Sequence, residues 1–285
     1  MTVIFDGIAS GMLLFLISVG LSVTLGLMNF VNLAHGAFAM LGGYVCVTLL
    51  KRADVPFLAS LPLVMIVVAL VGVVLEKTLY RRLYAATHLD QVLFSIGLML
   101  MSIAGAHFVF GDQQQPLVLP EFLQGQINLP GLDVGIYRLF LVILGLAIAT
   151  TLELLVRRTR FGAQLRAAVD NPRAARGLGI DVNRVFTLTF ALGSALAGLG
   201  GALGVEILGL DPGFPVKYIV YFLIVVAVGG SGSVKGSLLA SLILGVADVA
   251  GKYYVPEFGA FVIYAVMVAM LIFRPQGLLG RALAH

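Results

Sequence analysis

Residues 7–50 read GIASGMLLFLISVGLSVTLGLMNFVNLAHGAFAMLGGYVCVTLL and hold no Asp, Glu, Lys or Arg. A helix that crosses a bilayer needs about 20 consecutive apolar residues, so this stretch is long enough for two crossings. The natural break is Met28 to Gly36, MNFVNLAHG, where asparagine, histidine and glycine interrupt the apolar run. A first span is expected over residues 8–28 and a second over 34–50.

The rest of the chain has the same character. Hydrophobic residues make up 60% of it, charged residues 11%, and the mean hydropathy is +1.06. Soluble domains carry about 25% charged residues. A water-exposed surface cannot be built from so few, so lipid must solvate much of the protein. Further apolar runs lie near 57–75, 91–110, 136–156, 185–209, 218–230, 237–251 and 258–273, which makes nine in all. The last three are short for full crossings, and one or two are expected to be re-entrant or strongly tilted. The expected fold is all-α: a polytopic transmembrane helix bundle of eight or nine spans with a broken or re-entrant segment, forming one domain over residues 1–285. The 34 glycines suit close helix packing, because lipid supplies no hydrophobic drive for helix association. The single Cys46 cannot form an internal disulfide, no Cys/His cluster has metal-ligand spacing, and no cofactor is indicated. The net charge of +4 is a matter of membrane orientation rather than of nucleic-acid binding.

The amino terminus lacks the basic n-region of a signal peptide, and its apolar run is too long for an h-region, so it is read as a retained span. Lys and Arg favour the cytoplasmic side. Segment 76–90 holds Lys77, Arg81 and Arg82; segment 157–184 holds Arg157, Arg158, Arg160, Arg166, Arg173, Arg176 and Arg184; the tail holds Arg274 and Arg281. If every run crosses, these fall on one side together with Lys235, and Lys51, Arg52, Arg138, Lys217 and Lys252 fall on the other, a split of 13 against 5. The amino terminus is then outside and the carboxyl terminus cytoplasmic. Lys51 and Arg52 fit this less well. Segment 111–135, with three acids and no Lys or Arg, suits an outside loop.

Segment 157–184 is too long for a plain connector. Its run 163–169 favours helix, and Asp170-Asn171-Pro172 is a helix-start signal, with a cap followed by proline at the first helical position. A second short helix is expected from Pro172 to about Leu178, ended by Gly177 and Gly179. The pair would carry an alanine face (Ala167, Ala168, Ala174, Ala175) for close docking, and arginines suited to interface ion pairs. The plain alternative is a basic inside loop touching lipid headgroups.

Asn29, Asn32 and His35 sit in apolar surroundings, where polar side chains are costly and face the bundle interior or a cavity. A broken helix there would offer backbone amides to an anionic group such as a carboxylate. The alternative is that the asparagines cap the second span and that His35 is satisfied by a neighbouring carbonyl. Among the acids in or near spans, Glu153 and Glu206 can reach water. Asp248 is deepest, with Lys252 one turn away as a possible partner. The stretch Gly229–Gly236, GGSGSVKG, imitates a phosphate loop but fails the spacing, because no Ser or Thr follows a Gly-Lys pair, so ATP binding is not expected.

GLMNFVNLAHGAFAMLGGY (26–44) resembles the amino-terminal signature of the permeases for branched-chain amino acids in bacterial ATP-binding-cassette importers. TRFGAQLRAAVDNPRAARGLGIDVNRVFTLTFALGSALAGLGGAL (159–203) is similar to that family's cytoplasmic coupling loop and the span after it. GGSGSVKGSLLASLILG (229–245) and FRPQGLLG (273–280) resemble its later signatures, and length and short loops suit the smaller of two sister permeases. The resemblance implies two permeases forming the pore in the inner membrane, two cytoplasmic ATPases and a periplasmic binding protein. It implies ATPase contact at Arg166, Ala167, Ala168, Asp170, Asn171, Pro172, Ala175, Gly177 and Gly179, and leaves open urea, short amides or aromatic acids as substrates. The rival, an ion-coupled secondary transporter, would need a relay of intramembrane charges, which three scattered acids do not make. A membrane scaffold without transport would leave the break motif and the basic loop unexplained.

Overall fold

The computed structural model describes residues 1–28, 30, 32–84, 86–129 and 132–279. Eleven helices follow in order: α1 (Thr2–Met28), α2 (His35–Ala53), α3 (Phe57–Thr78), α4 (His88–Phe110), α5 (Ile136–Arg158), α6 (Arg160–Asp170), α7 (Pro172–Gly177), α8 (Val182–Leu208), α9 (Phe214–Gly229), α10 (Val234–Tyr254) and α11 (Gly259–Phe273). Every one of the nine apolar runs is helical. Among the described residues, six helices are long and apolar enough to cross a membrane: α1 over Thr2–Gly26, then α3, α4, α5, α8 and α10. At 16 and 15 residues, α9 and α11 are shorter than a full crossing, and α2 is not among the six.

One element departs from the all-α expectation. Strands β1 (Gln126–Leu129) and β2 (Leu132–Gly135) pair antiparallel, with Ile127 opposite Val134, in the loop before α5. Alternation over four residues between two polar ends is too short to stand out from a loop in the sequence.

The helix starts are chemically specified. Thr87 and Asp90 form a reciprocal capping box at α4. Thr159 caps α6, Asn171 caps α7 ahead of Pro172, Asp181 caps α8 and Ser233 caps α10.

The centre of the bundle is α1 crossing α8, with α2, α3 and α10 packed around them. Both central helices are mostly enclosed, whereas most residues of α3, α4 and α5 are exposed or only half-buried. Phe108 on α4 is 92% exposed and Phe273 on α11 is 83% exposed. Such side chains on an outer surface require an apolar surrounding, which a bilayer provides. The crossings at the centre are close. A Cβ on Gly42 of α2 would lie 2.1 Å from the Gly198 carbonyl oxygen of α8, and one on Gly201 of α8 would lie 1.9 Å from the Ala39 oxygen of α2. Only glycine lets these backbones meet, the usual device where lipid gives helices no hydrophobic reason to associate.

Contacts sort the connections into two ends. At one end, Asp6 at the start of α1 pairs with Arg138 at the start of α5, Lys51 donates to Gln115 at 3.3 Å, and the Gln115 amide donates to the Leu210 carbonyl at 2.8 Å. At the other end, the Gly232 amide donates to the Ser22 carbonyl at 2.9 Å, the Leu278 amide donates to the Val228 carbonyl at 2.7 Å, and Arg81 reaches Thr187. The second end gathers the described residues of segments 76–90, 157–184 and 230–236 together with residues 274–279.

Candidate functional site

Helices α6 and α7 project at the second end as a folded knob. Its small core consists of Leu165, Ala168, Ala175, Val182 and Val185, all buried, with Phe161, Ala167, Ile180 and Phe186 packed against them. The Asn171 carboxamide oxygen accepts from the Ala174 amide at 3.0 Å, and Pro172 begins the helix. Gly179, at φ +81°, turns the chain, and Ile180 then donates to the Ala175 carbonyl at 3.0 Å. A positive φ at this step is the ordinary glycine-terminated end of a helix. Arg166 is folded back, donating to the Val156 carbonyl at the end of α5.

This corrects the expected alanine face. Ala168 and Ala175 point inward and close the knob on the first turn of α8, so neither can press on a partner. The outward surface includes Ala163, Gln164, the run Asp170, Asn171, Pro172, Arg173 and Ala174, and then Arg176, Gly177, Leu178 and Gly179. Alanine at the inward positions serves the close approach of α6, α7 and α8 to one another.

The break between α1 and α2 contains Asn32, His35 opens α2, and Asn29 lies outside the described residues. Asn32 and His35 are both buried. The Asn32 oxygen accepts from the Ala34 amide at 3.1 Å and from the Tyr80 hydroxyl at 3.0 Å. His35 Nε2 is 2.8 Å from the Ile17 carbonyl, to which it donates as the Nε2-H tautomer. The Leu33 amide donates to Ser95 Oγ at 3.1 Å. The amides of Leu33 and Ala34 are thus already committed to protein acceptors and are not free for a carboxylate. Both polar side chains face protein, as the cost of bare polar groups in hydrocarbon demands.

Ala34 also lines an apolar cavity of about 350 Å³ between α2, α3 and α4, together with Phe38, Met40, Tyr44, Leu98 and Phe110. Tyr44 stacks on Phe110, with ring centroids 4.1 Å apart, and its buried hydroxyl has no hydrogen-bond partner among the described residues.

Asp248 is not brought to the break. It lines a different cavity, of about 440 Å³, with Ser10, Leu13, Tyr218, Tyr221 and Lys252. The expected i,i+4 pair is present, with Lys252 Nζ 2.6 Å from Asp248 Oδ2. Glu153 on α5 pairs with Arg157 and, at 3.5 Å, with Lys235 at the start of α10. Glu206 on α8 is exposed. Among the described residues no group of His, Cys, Asp or Glu is arranged to hold a metal ion.

The most buried acid escaped the sequence reading. Glu76, in the last turn of α3, is fully buried. One carboxylate oxygen accepts from Arg81 Nε at 3.3 Å and from the Tyr84 hydroxyl at 3.0 Å. The other accepts from the Arg81 guanidinium at 3.1 Å and from Thr187 Oγ1 at 2.7 Å. Thr187 is on the second turn of α8, just past the knob. In the sequence Glu76 follows directly on an apolar run, so it reads as the first residue of a wet loop, and nothing local marks Thr187 as its partner.

These groups are contiguous. Phe186 packs edge-on against Tyr84 at 5.8 Å, Tyr84 and Tyr80 both meet Phe30, and Tyr80 bonds Asn32. A line of rings and charge-assisted hydrogen bonds therefore joins the knob to the break beside α2.

The chain is similar to known proteins over nearly all its length. The family described as "branched-chain amino acid transport system / permease component" matches residues 3–271. The high-affinity branched-chain amino acid transport system permease protein BraD of Pseudomonas aeruginosa is 27% identical, covering 97% of this chain and 94% of its own length. A probable branched-chain amino acid transport permease protein, LivH, of Methanocaldococcus jannaschii is 30% identical over 94% of this chain and 89% of its own. The LivM permease of Salmonella typhimurium is 25% identical over 94% of this chain but only 68% of itself. No solved structure matches.

Proposed function

Because the chain belongs to the branched-chain amino acid transport system permease family, we propose that it forms half of the translocation pathway of an ATP-binding-cassette importer. It is a multi-pass membrane permease of the LivH and BraD type, not itself an enzyme. Its place is the inner membrane. Its substrate is a branched-chain amino acid or a related small carboxylate or amide. A sister permease completes the pore, two ATPases drive it from the cytoplasm, and a periplasmic binding protein delivers the substrate.

The observation that carries this reading is the likeness over residues 3–271 together with the compact α6–α7 knob in the middle of that stretch. A knob with its own core moves as a body, where a floppy loop would absorb the motion. Arg166, Ala167, Ala168, Asp170, Asn171, Pro172, Ala175, Gly177 and Gly179 are its ATPase-coupling element. Asp170, Asn171, Pro172 and Gly177 make the outward contact, and Ala168 and Ala175 hold the shape behind it. Closure of the ATPases would push the knob against α8 and, through Glu76, Tyr84 and Tyr80, shift the break that holds Asn32 and His35. Asn29, Asn32, His35 and Asp248 belong to the pathway region. Asn32 and His35 act by holding the break in place, and Asp248 acts from its own cavity.

The test is uptake of a radiolabelled branched-chain amino acid into vesicles reconstituted with this permease, its sister, the ATPases and the binding protein. Uptake should require internal ATP and survive collapse of proton and sodium gradients. Loss of uptake on collapsing the gradients, with ATP intact, would return the secondary transporter to first place.

Nine crossings are favoured over six, because they agree with both the basic-residue split and the sorting of connections into two ends. Under that topology the knob is cytoplasmic, the β1–β2 hairpin and the amino terminus are periplasmic, and the carboxyl terminus is cytoplasmic. In a Cys46→Ala background, a cysteine at Glu121 should react with an impermeant maleimide on whole cells, and one at Arg173 only after the cells are broken. The reverse pattern overturns the orientation.

A further inference from the structure

The end of the bundle that carries the knob also holds a charged cleft of about 660 Å³, of which the transport reading uses only Arg166. Its walls come from the ends of α1 and α5, from α6, and from the turn before α10. Arg157, Arg166 and Lys235 line it against a single carboxylate, Glu153, and Ser231 and Ser233 add hydroxyls. Glu153 already binds Arg157 and Lys235, which shows that both cations can converge on one anionic oxygen. Arg166 gives one N–H to the Val156 carbonyl, and a guanidinium has five in all.

A second cavity, of about 220 Å³, lies along α5 and α10 and shares Glu153, Val234 and Lys235 with the cleft. Its remaining walls are Leu146, Ala149, Thr150, Leu154 and Leu238. Leu146, Thr150 and Leu154 are exposed on the outer side of α5. A cationic cleft at the end of two apolar helices thus runs directly into an apolar groove between them.

We propose that this pair of cavities is a binding site for an anionic phospholipid. The phosphate sits among Arg157, Arg166, Lys235 and the serine turn, and an acyl chain lies in the α5–α10 groove. The excess of cations selects a net negative headgroup, as in basic pockets between membrane helices generally. The groove selects a lipid over a free phosphate, which would use only the cleft. The lipid phosphate competes with Glu153 for the same two cations. The site touches α6 through Arg166, so an occupant braces the knob against α5 and α10.

The test is native mass spectrometry of the assembled transport complex, purified in detergent and exposed to equal amounts of dioleoyl phosphatidylglycerol and dioleoyl phosphatidylcholine. The parent complex should retain phosphatidylglycerol in preference. Arg157→Gln with Lys235→Gln should retain about thirtyfold less, and Thr150→Trp, which fills the groove from an exposed position, should also lose it. Glu153→Gln should retain more, because the competing carboxylate is gone; a merely structural ion pair would not raise retention. Several results would overturn the proposal. These are equal retention of phosphatidylcholine, displacement by inorganic phosphate or short-chain dihexanoyl phosphatidylglycerol as effective as by the long-chain lipid, and cross-linking from a cysteine at position 150 to another subunit that fills the groove. None of them bears on ATP-driven uptake, which tests the transport reading separately.

Discussion

Arg81→Met is expected to cause the largest loss of stability of any single change in the Glu76 cluster. Glu76 has no exposure, and Arg81 is its only cationic partner among the described residues. Removing Arg81 leaves a carboxylate in the interior with only a threonine and a tyrosine hydroxyl to answer it. Removing one partner of a buried pair costs about 3–5 kcal/mol. The Arg81 side chain is 36% exposed, which places the expected loss near the lower end, about 3 kcal/mol. Glu76→Met together with Arg81→Met should recover most of it, because an apolar pair of similar volume is often neutral relative to the ion pair it replaces. Thermal melting of the purified complex for the two single variants and the double variant closes the cycle. A single Arg81 variant that melts with the parent, or a double variant no better than the sum of the singles, would remove Glu76 from its place at the hub. The same variants bear on mechanism. If the hub links the knob to the break, the double variant should regain its fold yet still uncouple ATP hydrolysis from uptake.

How much of this could be read in the sequence depends on the range of the interaction. The nine apolar helices, the break and the two short helices of the knob are local patterns. An apolar run, the interruption by Asn32 and His35, and an Asn-Pro start with Gly179 at the finish are all visible within a few turns. Lys252 beside Asp248 was also legible, being one turn away on the same helix. Inward and outward faces of the knob were not. Ala167 and Ala168 are alike in sequence, and only the position of Val182 and Val185 decides that Ala168 is enclosed while Ala167 is not. Nor could the sequence show Glu76 reaching Thr187, 111 residues away. An acid at the end of an apolar run has the same local appearance whether it meets headgroups or an arginine held in place by another helix. The orphaned Tyr44 hydroxyl is of the same kind, fixed by α4 closing over α2.

Gly177→Trp is the sharpest test of the coupling assignment, because the position is exposed and a side chain there begins in open space. A Cβ at Gly177 would meet nothing within 4 Å, and the residue ends α7 on the outward side of the knob. Its φ is not positive, so a side chain adds no backbone strain. Bulk placed there starts from open space on the exposed side, away from the core of Leu165, Ala168, Ala175 and Val185, so the clash expected is with a partner outside the chain. We expect normal membrane insertion, normal pairing with the sister permease and an unchanged melting temperature for the permease alone. We expect the ATPases to be lost on purification, or retained with hydrolysis no longer stimulated by substrate. Ala168→Glu is the necessary contrast. It drives a carboxylate into a site with no exposure, where an unpaired charge costs several kcal/mol or is neutralised. That variant should also abolish transport, but with the knob itself unfolded, visible as rapid proteolysis between residues 157 and 184. Exposed arginines such as Arg173 should matter less one by one, since surface ion pairs contribute about 0–1 kcal/mol. If the Gly177 variant holds its ATPases and transports like the parent while the Ala168 variant fails, the knob is a structural anchor for α8, and the ATPase contact must be sought on another segment of the same end.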